Sequence, residues 1–340
     1  MELYGTGGYG FQSGAWQGQL GLQRSFFRPA HRLTLGVRVY DYHDTEDRWR
    51  ISSGENSAAA FFFAHDFYDF HRRSGATAHT SYRLGRPLLA QLEYVSEQQR
   101  NPAGLDAAAS LGDRTNTNWS LFGGHARFRG NPAVDEGQLR AAAASLSWDT
   151  RDKTARPRRG WYGVARFERA GDDGLGGDFR YDRTVVDLRR YQRIGRHDGV
   201  NLRVRAGSVA GGAVPSQALF DLGGIGSLRG YDYKEFTDAD RMLLANVEYE
   251  FGDFDDDWID GGAMEDMTFA VFYDAGKAWN APAGRDARIT SGFDALTPGA
   301  LQKNVGFGVG FDEDCRLDLA KALGREDAPL LLTVRLRRSF

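Results

Sequence analysis

A single arginine set among glycines is the first place in this sequence where residue type and spacing could do chemistry. The run Gly223-Gly224-Ile225-Gly226-Ser227-Leu228-Arg229-Gly230-Tyr231 can turn tightly while presenting one guanidinium. Gly224-x-Gly226 also suggests a dinucleotide fingerprint, but no strand-to-helix context follows and the third glycine is misplaced. A serine nucleophile elbow, G-x-S-x-G, is absent, since Gly226-Ser227 and Gly207-Ser208 have the wrong spacing. The histidines at 31, 43, 65, 71, 79, 125 and 197 share no metal-ligand interval. Asp66, Asp69 and His71, ahead of Arg72-Arg73, read as a solvated turn. The acidic run from Asp253 to Asp257 has Trp258 where a calcium loop needs glycine. One cysteine, Cys315, permits neither an internal disulfide nor a thiolate zinc site. We therefore expect no enzyme, no cofactor and no metal; the chemistry on offer is electrostatic, a guanidinium seeking carboxylates.

The elements that would position such a pair emerge from composition and period. The chain has 340 residues, 41% hydrophobic and 26% charged, with 43 glycines, 22 Phe, 14 Tyr and 7 Trp. A net charge of -3 gives no electrostatic reason to expect nucleic acid. Mean hydropathy is -0.51, and no run of about 18 apolar residues occurs, which excludes a transmembrane helix. A membrane β-barrel escapes that test, because its apolar residues alternate with lumen-facing polar ones. Met1-Glu2-Leu3 leads straight into a Gly/Tyr stretch, with no secretory signal ahead of it.

Alternation is what the sequence shows. Leu33, Leu35, Val37 and Val39 alternate with Thr34, Gly36, Arg38 and Tyr40. Ala245, Val247, Tyr249 and Phe251 oppose Leu244, Asn246, Glu248 and Glu250; Phe269, Val271 and Tyr273 oppose Ala270, Phe272 and Asp274. Val305, Phe307, Val309 and Phe311 oppose Gly306, Gly308 and Gly310. Sixteen strands are expected, near 2-11, 15-25, 32-41, 58-67, 76-84, 88-97, 116-127, 138-148, 160-170, 179-192, 199-209, 241-251, 267-276, 304-312, 314-322 and 329-340. The weakest stretch is 98-115, where Ala107 to Leu111 also suits a short helix. Turns are expected at 171-178 and 253-262, and large loops on one side at 42-57, 211-240 and 277-303. Aromatics near segment ends, among them Trp148, Trp161, Tyr249, Tyr273 and Trp279, suit an interfacial girdle. The fold class is thus all-β: one domain over 1-340, a closed antiparallel transmembrane barrel of about sixteen strands. A large soluble β-protein is the rival.

Five motifs then carry a family resemblance over residues 140-340. Gly226, Ser227, Leu228, Arg229, Gly230 and Tyr231 resemble the [VL]-R-G-[FY] signature in the sixth extracellular loop of the BamA/TamA superfamily of outer-membrane assembly and translocation barrels. Asp149, Arg151 and Asp152, continuing through Pro157 and Gly160 to Trp161, resemble its mid-barrel turn. Asn246-Val247-Glu248-Tyr249 and Phe272-Tyr273-Asp274-Ala275-Gly276 resemble the two strands after the loop. Arg316-Leu317-Asp318-Leu319-Ala320 and an ending in Phe340 resemble the last two strands. The resemblance implies a Gram-negative outer-membrane location, with lipid and lipopolysaccharide around the barrel. It also implies unfolded or secreted polypeptide as substrate, and periplasmic accessory proteins as partners. It further implies a loop folded into the lumen with Arg229 on acidic wall residues. Glu248 and Asp274 share the polar register and are the expected partners.

The departure is at the N-terminus, where family members usually carry POTRA repeats. This chain begins at the first strand, either as a trimmed piece or as a barrel-only member. The expected function is assistance in inserting or translocating polypeptides through a weak seam. Gly5, Gly7, Gly8 and Gly10 thin the first strand there, opposite Arg335 and Phe340 on the last. A passive or structural barrel, or the anchor of a removed domain, is the alternative.

Overall fold

The computed structural model describes residues 1–10, 14–28, 30–102, 129–154, 156–171, 174–252, 267–282, 284, 288–294, 296–311 and 315–336. Its strands are β1 (Glu2–Gly10), β2 (Ala15–Phe26), β3 (His31–Asp44), β4 (His71–Leu84), β5 (Leu88–Arg100), β6 (Gly137–Asp149), β7 (Arg159–Ala170) and β8 (Arg180–Arg193). They continue with β9 (Gly199–Ala213), β10 (Phe220–Leu222), β11 (Phe236–Ala239), β12 (Arg241–Phe251), β13 (Met267–Trp279), β14 (Gln302–Phe311), β15 (Cys315–Ala322) and β16 (Leu330–Arg335). Among the described residues one α-helix, α1 (Ser53–Phe63), lies between β3 and β4.

Fourteen strands form one antiparallel sheet in the order β1 to β9, then β12 to β16; β10 and β11 pair separately. Among the described residues the sheet thus has fourteen strands, where a barrel of about sixteen was expected. One expected strand is not in the sheet, one lies outside the described residues, and the other fourteen are its fourteen strands. The segment 58-67 contributes to α1 instead. Ala58-Ala59-Ala60-Phe61-Phe62-Phe63 is apolar without alternation, and Ser52 caps the helix by accepting the Glu55 amide. The expected strand at 116-127 lies outside the described residues, as do the turn at 253-262 and Ala107 to Leu111. β5 pairs directly with β6 from Leu88↔Trp148 to Gln99↔Gly137. Among the described residues the loop bearing Arg229 joins β9 to β12 and is the fifth connection on its side, where the sixth was expected. The longer connections, including 45–70, 214–240 and 280–301, share that side.

Register sorts the two faces of the sheet. Tyr249↔Val271, Val271↔Phe307, Phe307↔Leu319 and Leu319↔Leu332 place one apolar row across five strands, and all five side chains are exposed. Tyr249, Phe251, Phe269 and Phe307 form a stacked aromatic series with centroids 5.6–6.0 Å apart on the same face. A soluble sandwich would bury that face and expose its charges. Here the charges are covered instead: Glu248, Asp274, Arg203, Arg316 and Asp318 on the opposite face are buried. The apolar core lies where the 214–240 connection meets that polar face, around Val209, Leu222, Leu228, Met242 and Leu244. An exposed apolar band around a buried polar face is the arrangement of a sheet solvated by lipid.

Candidate functional site

The 214–240 connection is shaped by its own backbone before it meets the wall. Gly223, Gly224 and Gly226 have φ of 118°, 73° and 70°, which a side chain rarely adopts. The Gly224 amide donates to Leu228 O at 3.0 Å, and the Gly223 amide to Ser227 Oγ at 3.1 Å. A Cβ on Gly226 would stand 2.4 Å from Arg50 O, so close approach of the 45–70 connection also requires glycine there. Gly230 meets the backbone of Lys321 and Ala322, and Tyr231 exchanges hydrogen bonds with Lys303.

This folding carries Arg229 onto three strands, β12, β13 and β15. Its Nε donates to Asp274 Oδ2 at 2.9 Å and Nη2 to Oδ1 at 2.8 Å, a bidentate fork; Nη1 donates to Glu248 Oε2 at 3.0 Å and Asp318 Oδ2 at 3.3 Å. The guanidinium lies 3.4 Å from the centroid of the Phe272 ring. Asn246 and Asn304 each donate to Asp274 at 2.8 Å, and Arg316 grips Glu248 and Asp318. Two guanidiniums therefore face three carboxylates, all buried. Burial alone would lower the arginine's proton affinity, but Asp274, Glu248 and Asp318 hold it well above its ordinary value.

The register explains the meeting. Asn246↔Asp274↔Asn304 is one row and Glu248↔Phe272↔Gly306 the next, with Gly308↔Asp318 beyond. A Cβ on Gly306 would strike the Phe272 ring at 2.2 Å, and one on Gly308 would strike Asp318 at 2.4 Å. The bare glycine face of β14 thus makes room for the side chains that surround Arg229.

The turn between β6 and β7 is a second built feature, at the opposite end of the sheet. Arg151 forks onto Asp149 at 2.9 and 2.7 Å, and Asp152 accepts the amides of Lys153, Arg158 and Arg159. Burial opposes ionisation, yet those amides hold the Asp152 carboxyl below the usual carboxylate range. Pro157 is buried, and Gly160, at φ 112°, leaves no room for a Cβ, which would meet Thr150 O at 2.4 Å. Trp148 and Trp161 stack across the base at 6.2 Å.

The sequence profile of the Omp85 superfamily domain matches residues 4–312. The chain belongs to the Omp85 superfamily. It is a Gram-negative outer-membrane protein of the BamA-like barrel type. It is 30% identical over 114 residues to the outer membrane protein assembly factor BamA of Nitratidesulfovibrio vulgaris, covering 30% of this chain and 14% of that relative. The crystal structure of BamA from Haemophilus ducreyi lacking POTRA domains 1-3 superposes with a TM-score of 0.59 at 12% identity, over 94% of this chain and 62% of that one. CdiB from Acinetobacter baumannii gives a TM-score of 0.42 at 12% identity, over 95% and 50%. The chain spans about one seventh of the length of the curated relative and 62% of the BamA structure.

Within this Omp85 chain the seam residues lie apart from the Arg229 cluster. Gly5, Gly7, Gly8 and Gly10 lie on β1, which pairs with β2, and the sheet order ends at β1 and β16. A Cβ on Gly5 would stand 2.9 Å from Gln19 O, whereas Gly8 faces open space. Arg335 is buried and paired with Glu55 of α1, and Phe340 lies outside the described residues. The Asp66-Asp69-His71 segment is not a solvated turn. Asp66 accepts from Asn56 and the Tyr68 amide, Asp69 pairs with Arg129 and Lys234, and His71 is buried. Sequence reasoning missed Arg316, Asp318, Asn304 and Glu55 as partners. The Arg316-x-Asp318 alternation was the available signal for the first two, since it puts both on one face. Among the described residues, no group of three or more His, Cys, Asp or Glu could hold a metal.

Proposed function

We propose that this Omp85 chain is a barrel that helps polypeptides insert into, or cross, the outer membrane, with no chemical step and no cofactor. The observation that carries the reading is the brace around Arg229. A loop held by three carboxylates on β12, β13 and β15 stiffens the strands that lead to β16, while β1 is thinned by glycine. In this reading β1 and β16 approach to close the barrel, and their seam is the place that yields. A loop lodged inside also narrows the lumen, which favours assistance over a wide passive pore. Lipid with lipopolysaccharide, a client polypeptide and periplasmic accessory proteins are the partners it calls for.

The test is removal of the gene from its host, with quantification of the outer-membrane and secreted proteomes. Loss of particular barrels or secreted proteins, restored by the wild type and not by Arg229→Ala, is expected. Unchanged proteomes, together with large steady conductance of the purified protein in planar bilayers, would favour a passive pore and overturn the reading.

A further inference from the structure

Helix α1 grows from the connection between β3 and β4, yet its most firmly held side chain engages the far end of the sheet. Glu55 accepts Arg335 Nε at 2.8 Å, Arg335 Nη2 at 3.4 Å and the Leu336 amide at 2.9 Å, across 280 residues of sequence. Both charged residues are 5% exposed. Ser52 Oγ accepts the Glu55 amide at 3.3 Å, as in a capping box, but the carboxylate that would normally turn back to the cap reaches the last strand instead. A buried pair of this kind is costly to break singly, so it fixes α1 beside β16.

Beside this pair lies open space. A cavity of about 470 Å³ opens between Ala58, Phe62 and Phe63 of α1 and Leu332 and Val334 of β16. Phe61 and Phe63 are 51% and 60% exposed. No strand follows β16 in the sheet order among the described residues, and an edge strand offers backbone groups to any extended chain. The Glu55–Arg335 pair is thus a buried ionic contact that holds α1 over that edge. The root of the helix is firm: Tyr68 OH donates to Ile51 O at 2.8 Å, and Lys234 ties Asp47 and Asp69 to the Arg229 loop.

We propose that α1 is a releasable clasp: Glu55 positions it over the β16 edge, and its release exposes that edge to an extended polypeptide. This rests on the assembly reading above. Amide exchange of the full chain in detergent micelles tests the clasp without needing activity. Glu55→Gln should quicken exchange in 53–63 and 330–336 by about tenfold or more, with the migration of the unboiled protein unchanged. Exchange equal to wild type would overturn the proposal. In the second arm, Ala58→Cys and Val334→Cys, in a Cys315→Ser background, are bridged by a short reducible crosslinker. The tethered protein should lose support of client assembly and regain it on reduction; full support while tethered would also overturn the proposal. If the untethered protein supports no assembly at all, the assembly reading fails, and exchange alone still decides whether the clasp exists.

Discussion

At the scale of single residues, Arg229 and Arg316 are outnumbered by Glu248, Asp274 and Asp318, so the cluster has no cation to spare. Arg229→Ala should release the 214–240 connection to protease and cost about 3–5 kcal/mol if the site stays dry, less if water enters. Arg229→Lys should rescue only part, because an ammonium cannot reproduce the fork onto Asp274. In a double-mutant cycle read by unfolding in detergent, Arg229→Ala with Asp274→Ala should cost clearly less than the sum of the singles; strict additivity would mean the two do not interact. Glycines divide in the same way. Gly160→Ala should lower folding yield, since its backbone and the nearby Thr150 carbonyl both refuse a Cβ, while Gly8→Ala should fold as wild type does. Arg229 could be singled out from sequence as the one arginine of a glycine-rich run, and Glu248 and Asp274 because each stands on a legible alternation. Asp318 and Asn304 could not be joined to them, since the pairing of one strand with the next is a long-range property that no local pattern encodes.

At the scale of elements, period two was enough to find all fourteen strands of the sheet, because every strand divides its residues between a lipid-type face and a polar one. It failed at α1 for a physical reason: an unbroken apolar run has no period, and only Ser52 with Glu55 three residues on marked a helix start. The division of faces makes opposite demands on neighbouring positions. Phe307→Lys, on the exposed face of β14, should cost about 2–4 kcal/mol if it lies at mid-bilayer depth, read as a loss of folded protein in lipid vesicles. Gly306→Ala, one residue away on the covered face, should be harmful by crowding the Phe272 ring, although alanine is compatible with lipid.

At the scale of the whole molecule, unheated and boiled samples should migrate differently in detergent gels, with the shift lost at a lower temperature in Arg229→Ala. Equal migration under both treatments would count against a stable barrel. The number of strands in the sheet has a consequence for how the molecule can be handled. Among the described residues the count is even, which returns the chain to the side from which it set out, so Glu2 and Arg335 belong to the same end, that of the short turns such as 85–87 and 194–198. Tags fused to the two ends should therefore be shielded together in intact cells and become reachable together once the envelope is opened. Glu2 and Arg335 thus share one address, and probes attached beside them should report a single compartment.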